Sequence, residues 1–276
     1  MPIESVVNVS EGRDPSVIDR LAEVCRGHLL DVHVDPDHHR SVFSLARSEP
    51  ARLLTDVALT LVDLRRHRGA HPRLGAVDVV PFVPIAIDGR SSDMDDALRA
   101  RDEFAAWIVD THGVPVFLYG PDRRTLPEIR RRAWHELRPD LGPAEPHVTA
   151  GATCVGAREP LVAYNVWLQP GTPVAVARRI ADEVRGDGIR ALGIPVGEAV
   201  QVSMNLVDPA RVGPSEAFDR VARRAAQVGA TVWRAELVGL VPESTLTRVS
   251  PERWAPLDLG EDRTVEARWR ALGDPS

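Results

Sequence analysis

Apolar positions in the first part of the chain switch between the two-residue period of strands and the 3.6-residue period of amphipathic helices. Residues 5–9 predict a strand, and Asp14-Pro15 opens a helical pattern that ends at Gly27. Two β-rich runs, a long helix that starts at Pro50 and a further strand follow, over 29–34, 41–45, 50–64 and 77–87. The order β-α-β-β-α-β is that of the split βαβ unit of ferredoxin-like domains.

The same order returns after residue 158. Its predicted strands and helices cover 161–168, 173–185, 189–196, 199–207, a helix from Pro214 and a strand over 232–241. Asn8 and Asn165 fall inside the first strand of each half, and a helix, a strand and a second helix separate the halves, over 94–109, 114–119 and 125–134. We therefore predict an α+β protein with a tandem pair of ferredoxin-like subdomains, over 1–157 and 158–249, and a loosely packed C-terminal extension over 250–276.

Composition narrows the class of partner. The net charge is −6, and the 34 basic residues are all Arg and are spread along the chain, without the basic and aromatic clusters of nucleic-acid surfaces. The absence of Lys excludes Schiff-base chemistry on a lysine. Cys25 and Cys154 lack metal or redox spacing, so we expect two buried thiols and no disulfide. The N-terminus has no signal-peptide pattern and no apolar run approaches a membrane span, so we expect a cytoplasmic protein with no membrane or nucleic-acid partner.

A short polar segment, His67-Arg68-Gly69-Ala70-His71-Pro72-Arg73, lies between the helix 50–64 and the strand 77–87. An imidazole titrates near neutral pH, so His71 is the first candidate for a proton donor or acceptor. Solvation or helix capping by His67 and His71 is the alternative. Gly69 and Pro72 interrupt any helix that would make the two His a metal-binding pair, and no HExxH glutamate is present. The mixed imidazole and carboxylate cluster over 33–40 is a second place where a metal must be weighed. We predict no metal.

The segment 142–151 is too rich in Pro and Gly for regular structure. Loops of this length inside compact enzymes often carry ligands. A plain connector between the two halves is the alternative.

Several motifs together resemble the formiminotransferase domain of formiminotransferase-cyclodeaminase. They are Asn-Val-Ser-Glu-Gly-Arg at 8–13, the block 67–82, Val-Phe-Leu-Tyr-Gly at 116–120, Arg-Thr-Leu-Pro at 124–127, Gly-Pro at 142–143, the glycine-containing stretches at 151–153 and 156–158, Asn-Leu at 205–206 and Leu-Val-Gly-Leu-Val-Pro at 237–242. Each motif is weak alone, but they occur in register from residue 5 to about 245. The family's domain is built of two ferredoxin-like halves, so the resemblance implies that 1–157 and 158–249 are its N-terminal and C-terminal subdomains.

The resemblance implies transfer of a formimino group from N-formiminoglutamate to N5 of tetrahydrofolate, which is a co-substrate. The family's general acid/base histidine falls on His71. Residues implied in substrate binding are Asn8, Glu11, His39, Arg40 and Arg73. The implied folate-binding segment comprises Gly142, Pro143, Ala144, Glu145, Pro146, His147, Val148, Thr149, Ala150 and Gly151.

The chain departs from the animal domain near this site. His39 replaces an Asn, Ala70 replaces a Glu, Ala150 replaces an aromatic residue, and the segment 186–190 is shorter. Two alternatives therefore stay open: formimidoyl transfer with a different amino donor or acceptor, and a small-molecule binding paralogue without turnover. The residue that orients His71 is also open, with Glu11, Asp35, Asp37 and Asp78 all chemically able.

Two expectations concern assembly. Exposed sheet edges of ferredoxin-like halves favour pairing into a homodimer. No cyclodeaminase-like segment follows within the 276 residues, so we expect the product to pass to a separate enzyme.

Overall fold

The computed structural model describes residues 1–68, 73–186 and 188–273. These residues form two compact units, Met1–Glu159 and Pro160–Ala271. Both units combine strands with helices, so the predicted α+β class is confirmed.

The strands of the first unit are β1 (Ile3–Val9), β2 (Leu29–Asp35), β3 (Arg40–Ala46), β4 (Val77–Pro84), the short hairpin β5 (Ala86–Ile87) and β6 (Arg90–Ser91), β7 (Val116–Tyr119) and β8 (Thr153–Ala157). Its helices are α1 (Pro15–Val24), α2 (Pro50–Leu61), α3 (Met94–His112) and α4 (Leu126–Arg132). The strand predicted over 77–87 thus divides into β4 and the first strand of the hairpin, whose turn is Asp88-Gly89. Both turn residues have positive φ, 50° and 77°, as a two-residue hairpin turn of this kind requires.

The first unit contains a six-stranded sheet in the order β2-β3-β1-β4-β8-β7. Its first four strands are antiparallel neighbours, whereas β8 runs parallel to both β4 and β7. The sequence predicts no strand at β8. All five of its residues are buried, and with Gly156 and Ala157 among them the segment lacks the longer run of large apolar residues that makes the equally buried β4 predictable.

Local sequence explains where the helices of this unit begin. The Asp14 carboxylate accepts hydrogen bonds from the backbone N–H groups of Ser16 and Val17, and Pro15 occupies the first turn of α1. Asp93 and Asp96 form a reciprocal capping box at the start of α3, which ends at Gly113 with φ 64°. Helix α3 packs on β4 and β8, and α1 packs on α2.

The strands of the second unit are β9 (Val162–Leu168), β10 (Ile189–Val196), β11 (Ala199–Leu206) and β12 (Val232–Val238). Its helices are α5 (Val174–Val184), α6 (Pro214–Gln227), α7 (Glu243–Leu246) and α8 (Val265–Ala271). The four strands form an antiparallel sheet in the order β10-β11-β9-β12. One face of this sheet contributes Tyr164, Val166, Leu168, Val202 and Leu237 to the core of the unit.

The segment after residue 250 belongs to that core, so the prediction of a loosely packed extension is wrong. Leu257 is 1% exposed, and the Tyr164 hydroxyl donates a hydrogen bond of 2.8 Å to its carbonyl oxygen. The Asp258 carboxylate accepts a hydrogen bond of 2.8 Å from the Leu237 backbone N–H. Proline and charge density on the sequence indicated solvent exposure, but the few apolar residues among them are sufficient to anchor the segment.

Cys25 and Cys154 are free and buried, which confirms the predicted pair of buried thiols. Burial raises the pKa of Cys25 to about 12 and raises the pKa of Cys154 as well. Within the described ranges, no helix is both long and apolar enough to cross a membrane.

Candidate active site

The loop that follows β1 binds the Glu11 carboxylate with its own backbone. One oxygen, Oε1, accepts hydrogen bonds from the backbone N–H groups of Gly12, Arg13 and Asp14, at 2.8, 2.7 and 3.0 Å. The Ser41 hydroxyl donates to the Glu11 carbonyl oxygen at 2.6 Å, which ties this loop to β3. The carboxylate is therefore held in one place before any ligand arrives.

His39 lies next to this carboxylate at the turn between β2 and β3. Its Nδ1 is 3.3 Å from Glu11 Oε1 and 3.1 Å from the Gly12 nitrogen. The backbone of His39 has φ 53°, a left-handed conformation in which Asn, Asp and His are enriched. His39 is thus a residue type suited to this backbone position.

His67 stacks on His39. The ring centroids are 4.0 Å apart and the planes are inclined by 25°. His67 Nε2 lies 3.1 Å from the His39 carbonyl oxygen, and Arg73 Nη1 lies 2.6 Å from His67 Nδ1. His67 and Arg73, which flank His71 in the sequence, therefore contact each other and the β2–β3 turn.

Both imidazoles are biased toward the neutral form. Burial lowers the pKa of His67 to about 4; the His39 carbonyl opposes this shift and the Arg73 charge reinforces it. Burial also lowers the pKa of His39, with Glu11 opposing and Arg13 and Arg73 reinforcing the shift. His67 is thus neutral at physiological pH and unsuited to act as a general acid.

Two arginines, Arg13 and Arg73, lie close enough to the stacked rings that, besides burial, their charges lower the pKa of His39. Arg13 Nε donates to the Pro36 carbonyl oxygen at 2.8 Å, and Arg73 Nη2 donates to the His38 carbonyl oxygen at 3.3 Å. Arg40, the first residue of β3, has a pKa lowered by burial, with Asp78 opposing that shift. Guanidinium groups fixed by backbone carbonyls suit the recognition of carboxylates.

Asp78 anchors the segment that follows Arg73. Its Oδ1 accepts the backbone N–H groups of Leu74 and Gly75, at 2.6 and 3.3 Å, and its Oδ2 is 2.6 Å from Arg130 Nη2. The carboxylate is 1% exposed. The sequence suggested Asp78 only as a partner of His71, and it gave no indication of Arg130. An acidic residue inside the apolar run of β4 was the one sign that a buried ion pair would be found there.

The other candidate residues divide between the sheet and a loop. Asn8 is buried in β1, where its side-chain amide donates to the Val6 carbonyl oxygen at 3.0 Å. Asp35 bonds to the imidazole of His38 at 2.5 Å, so it is engaged within its own turn. His71 itself lies outside the described residues, as do Gly69, Ala70 and Pro72.

The segment 142–151 contains no helix or strand, which confirms that it is a loop. Gly142 and Gly151 have positive φ, 85° and 71°. A hydrogen bond of 2.8 Å joins the His147 backbone N–H to the Gly151 carbonyl oxygen, and one of the same length joins the Ala76 N–H to that of Ala150. Ala150 is buried and does not present its methyl group to solvent, whereas Val148 is 74% exposed. The loop is thus fixed at its C-terminal end to the segment that follows Arg73.

In the described part of the chain, no three His, Cys, Asp or Glu side chains converge in a way that could hold a metal ion. Within the cluster over 33–40, Asp35 pairs with His38, and His39 pairs with Glu11 from the loop after β1.

Comparison with known proteins places the chain in a family. Residues 2–158 match the model of the formiminotransferase domain, N-terminal subdomain, and residues 163–254 match that of the formiminotransferase domain. The chain is 33% identical over 278 residues to a glutamate formimidoyltransferase of Streptococcus pyogenes, covering 90% of this chain and 91% of that protein. A glutamate formimidoyltransferase of Thermoplasma acidophilum is 33% identical over 280 residues, with 90% of each chain covered. The formimidoyltransferase-cyclodeaminase of Sus scrofa is also 33% identical, over 88% of this chain and 51% of that longer protein. The chain therefore belongs to the formiminotransferase family, and it is a transferase.

Proposed function

We propose that the protein transfers a formimino group from N-formiminoglutamate to N5 of tetrahydrofolate, with His71 as general acid/base. The observation that carries this proposal is the cluster of Glu11, His39, His67 and Arg73, which gathers around the two ends of the segment that contains His71. Membership of the formiminotransferase family supplies the reaction class.

The chemistry needs one group that both accepts and donates a proton. The N5 amine attacks the amidine carbon and forms a new C–N bond, which gives a tetrahedral intermediate. N5 then loses a proton, the glutamate nitrogen gains one, and the bond between that nitrogen and the carbon breaks. A single imidazole with an ordinary pKa can perform both transfers. His67 is a poor candidate because its pKa is about 4.

Arginine side chains are our candidates for binding the carboxylates of the substrate. N-formiminoglutamate carries two carboxylates, and Arg40 and Arg73 are our candidates for holding the substrate, with Asn8, Glu11 and His39 beside them. Two backbone N–H groups bound to Asp78 keep the chain after Arg73 in place.

The loop 142–151 is our candidate for the folate. Gly142 and Gly151 adopt conformations that other residues rarely take, and Gly151 packs so closely on the Leu74 backbone that a Cβ would lie 2.1 Å from its carbonyl oxygen, which fixes the end of the loop beside the segment that follows Arg73. Within this proposal the two units are ferredoxin-like subdomains: the strand orders β2-β3-β1-β4 and β10-β11-β9-β12 are the same when numbered within each unit.

The test is a coupled transfer assay with N-formiminoglutamate and tetrahydrofolate. His71→Ala should lower the rate about 10²- to 10⁴-fold. His135→Ala, at an exposed histidine elsewhere in the same unit, is the matched control and should retain wild-type activity. Equal activity of His71→Ala and wild type would remove His71 from the mechanism. Folinic acid should also raise the melting temperature by mass action, and no shift at high ligand concentration would refute the folate assignment.

A different amino donor is the second candidate, and His39 favours it. Its imidazole lies 3.3 Å from Glu11 where the family carries an amide. The same assay with N-formiminoglycine and N-formiminoaspartate separates the two proposals. A kcat/KM for either compound that exceeds the value for N-formiminoglutamate would identify that compound as the donor.

A further inference from the structure

The His39 ring is placed so that it can gain a proton without leaving any neighbouring group unpaired. Its Nδ1 is 3.1 Å from the Gly12 nitrogen and 3.3 Å from Glu11 Oε1. The Gly12 N–H can only donate, so Nδ1 accepts and carries no hydrogen while the ring is neutral. The same N–H also donates to Glu11 Oε1 at 2.8 Å, so it keeps an acceptor when Nδ1 is protonated. A protonated Nδ1 in turn has Glu11 Oε1 as its acceptor.

Charged and titratable groups surround this ring. They are Glu11 and Arg13 in the loop after β1, Asp35, His38 and Arg40 in or beside its own turn, and His67 and Arg73 before β4. Burial lowers the pKa of His39; the Glu11 carboxylate opposes that shift, and the charges of Arg13 and Arg73 reinforce it. The two guanidinium groups therefore favour the neutral ring against the attraction of Glu11.

The stacked His67 ring is not arranged to take up a proton. Arg73 Nη1 lies 2.6 Å from its Nδ1 and also contacts its Nε2. A guanidinium has donors only, so a charged His67 with hydrogen on both nitrogens would face a cation with no acceptor between them. The ring centroids of His39 and His67 are 4.0 Å apart, so two charged rings would also repel each other. Of these two rings, His39 is the one that can become charged.

A carboxylate bound to Arg13 and Arg73 changes the balance at His39. Backbone carbonyls of the β2–β3 turn hold both guanidinium groups beside the ring. A bound carboxylate offsets the repulsion that these cations exert on a charged His39, whereas the attraction of Glu11 stays. The His39 side chain is already only 13% exposed, so a ligand can remove little further water from it.

We propose that His39 takes up a proton when a carboxylate binds to Arg13 and Arg73, and that this proton joins the ring to Glu11. His39 is then a positioning residue, which ties the β2–β3 turn to the Glu11 carboxylate by an ion pair only while the arginines are occupied. The inference rests on the proposed function for the source of the carboxylate, which is the glutamate of the amino donor or the glutamate tail of the folate. By linkage, the affinity for that carboxylate rises as the pH falls, by up to about 10-fold per pH unit.

NMR of protein labelled with 15N in the histidine rings tests the proton directly, near neutral pH, with and without L-glutamate or folinic acid. The two nitrogens of a neutral imidazole have widely separated chemical shifts, and those of a charged imidazole nearly coincide. His39→Asn identifies the signals by their absence, and Asn suits the left-handed backbone at this position. We expect the His39 signals to change from the neutral to the charged pattern on saturation. The ligand that causes the change is the source of the carboxylate.

Calorimetry in buffers of different ionisation enthalpy counts the protons that accompany binding. L-glutamate does not titrate near neutral pH, so the protons are taken up by the protein. His39→Asn should take up fewer protons than the wild type, and its affinity should depend less on pH. His135→Asn replaces an exposed histidine elsewhere in the same unit and should match the wild type.

A His39 ring that stays neutral in the saturated complex, or that is already charged in the free protein, overturns the proposal. The absence of binding of both ligands also overturns it. Failure of the proposed function is a separate result. Proton uptake at His39 without formimino transfer would retain this inference and reject that function, whereas transfer that requires His71 while His39 stays neutral would do the reverse.

Discussion

Gly12 lies where the loop after β1 passes the turn between β2 and β3, and replacing it by alanine tests how closely these segments must approach. A Cβ atom at this position would lie 2.4 Å from the Asp35 carbonyl oxygen and 2.5 Å from the Arg40 nitrogen. Both are backbone atoms at strand ends, so neither can rotate away. Ordinary contact requires a separation of about 3.5 Å, and the two segments must therefore move apart by about 1 Å.

Overpacking of this kind costs about 1–3 kcal/mol. For a unit of this size, each kcal/mol lowers the melting temperature by about 2–4 °C. The loss of transfer activity should exceed what the loss of stability alone would cause, because the Gly12 N–H donates to Glu11 and Glu11 contacts His39. A displacement of about 1 Å at a reacting site costs roughly 10²-fold in rate.

Calorimetric melting and the transfer assay measure the two effects. Gly27→Ala is the control, since no atom lies within 4 Å of its added Cβ, and it should leave activity intact and change stability by less than about 1 kcal/mol. Wild-type melting temperature and turnover in Gly12→Ala would refute the argument that this close approach shapes the site.

Three further predictions concern titratable groups of the first unit. Asp78→Ala should lower the free energy of unfolding by about 3–5 kcal/mol, because it removes a buried carboxylate that pairs with Arg130 and accepts the backbone N–H groups of Leu74 and Gly75; urea denaturation measures the loss, and adding Arg130→Met should recover part of it. The ring signals of His67 in NMR spectra should stay constant from pH 8 to 5 and titrate near the pKa of about 4, so a midpoint near 6.5 would contradict the buried position. For Asp35, burial raises the pKa but hydrogen bonds from His38 outweigh it and hold the pKa at about 2. The stability that Asp35 contributes, about 2 kcal/mol at most, is therefore present above its unfolded pKa of 3.8 and is lost as the pH falls toward 2. Asp35→Asn should flatten this loss between pH 5 and pH 2 in urea midpoints, and an unchanged slope would show that the carboxylate has an ordinary pKa.

Periodicity predicted the helices because each is half-buried, whereas the nearly fully buried strands β1, β3 and β4 were predicted from their apolar and β-branched runs. Helices α2 and α3 each present one apolar stripe, and the sequence places their starts at Pro50 and Met94, as the structure does. Strand β8 gave no such signal. Its Gly156 has no side chain because the Tyr119 ring occupies that space, 2.3 Å from where a Cβ would lie. A small residue in such a strand is explained by the side chain that packs against it, and the sequence does not show which side chain that is.

The site was predictable in its residue types and less so in its contacts. His39 and His67 are both visible on the sequence, but their stacking depends on the left-handed backbone at His39 and on the position of the β2–β3 turn. Asp78 was a candidate partner for a histidine, whereas the structure engages it with Leu74, Gly75 and Arg130. Such pairings depend on how the loops and helix α4 pack beside the sheet, which a single sequence does not specify.

The parallel strand β8 has a consequence for how the first unit folds. Val79 of β4 pairs with Cys154, so the six-stranded sheet closes only after nearly the whole unit has been synthesised. The sheet of the second unit uses strands that all lie between Val162 and Val238, and its Ala163 pairs with Val238, which is as far along the chain as Cys154 is from Val79. Contacts between distant residues slow folding because a long stretch of chain must first be ordered. Since the loop 142–151 leads directly into β8, its conformation is fixed when that last strand docks, and a nascent chain that ends before residue 157 cannot complete the candidate folate site.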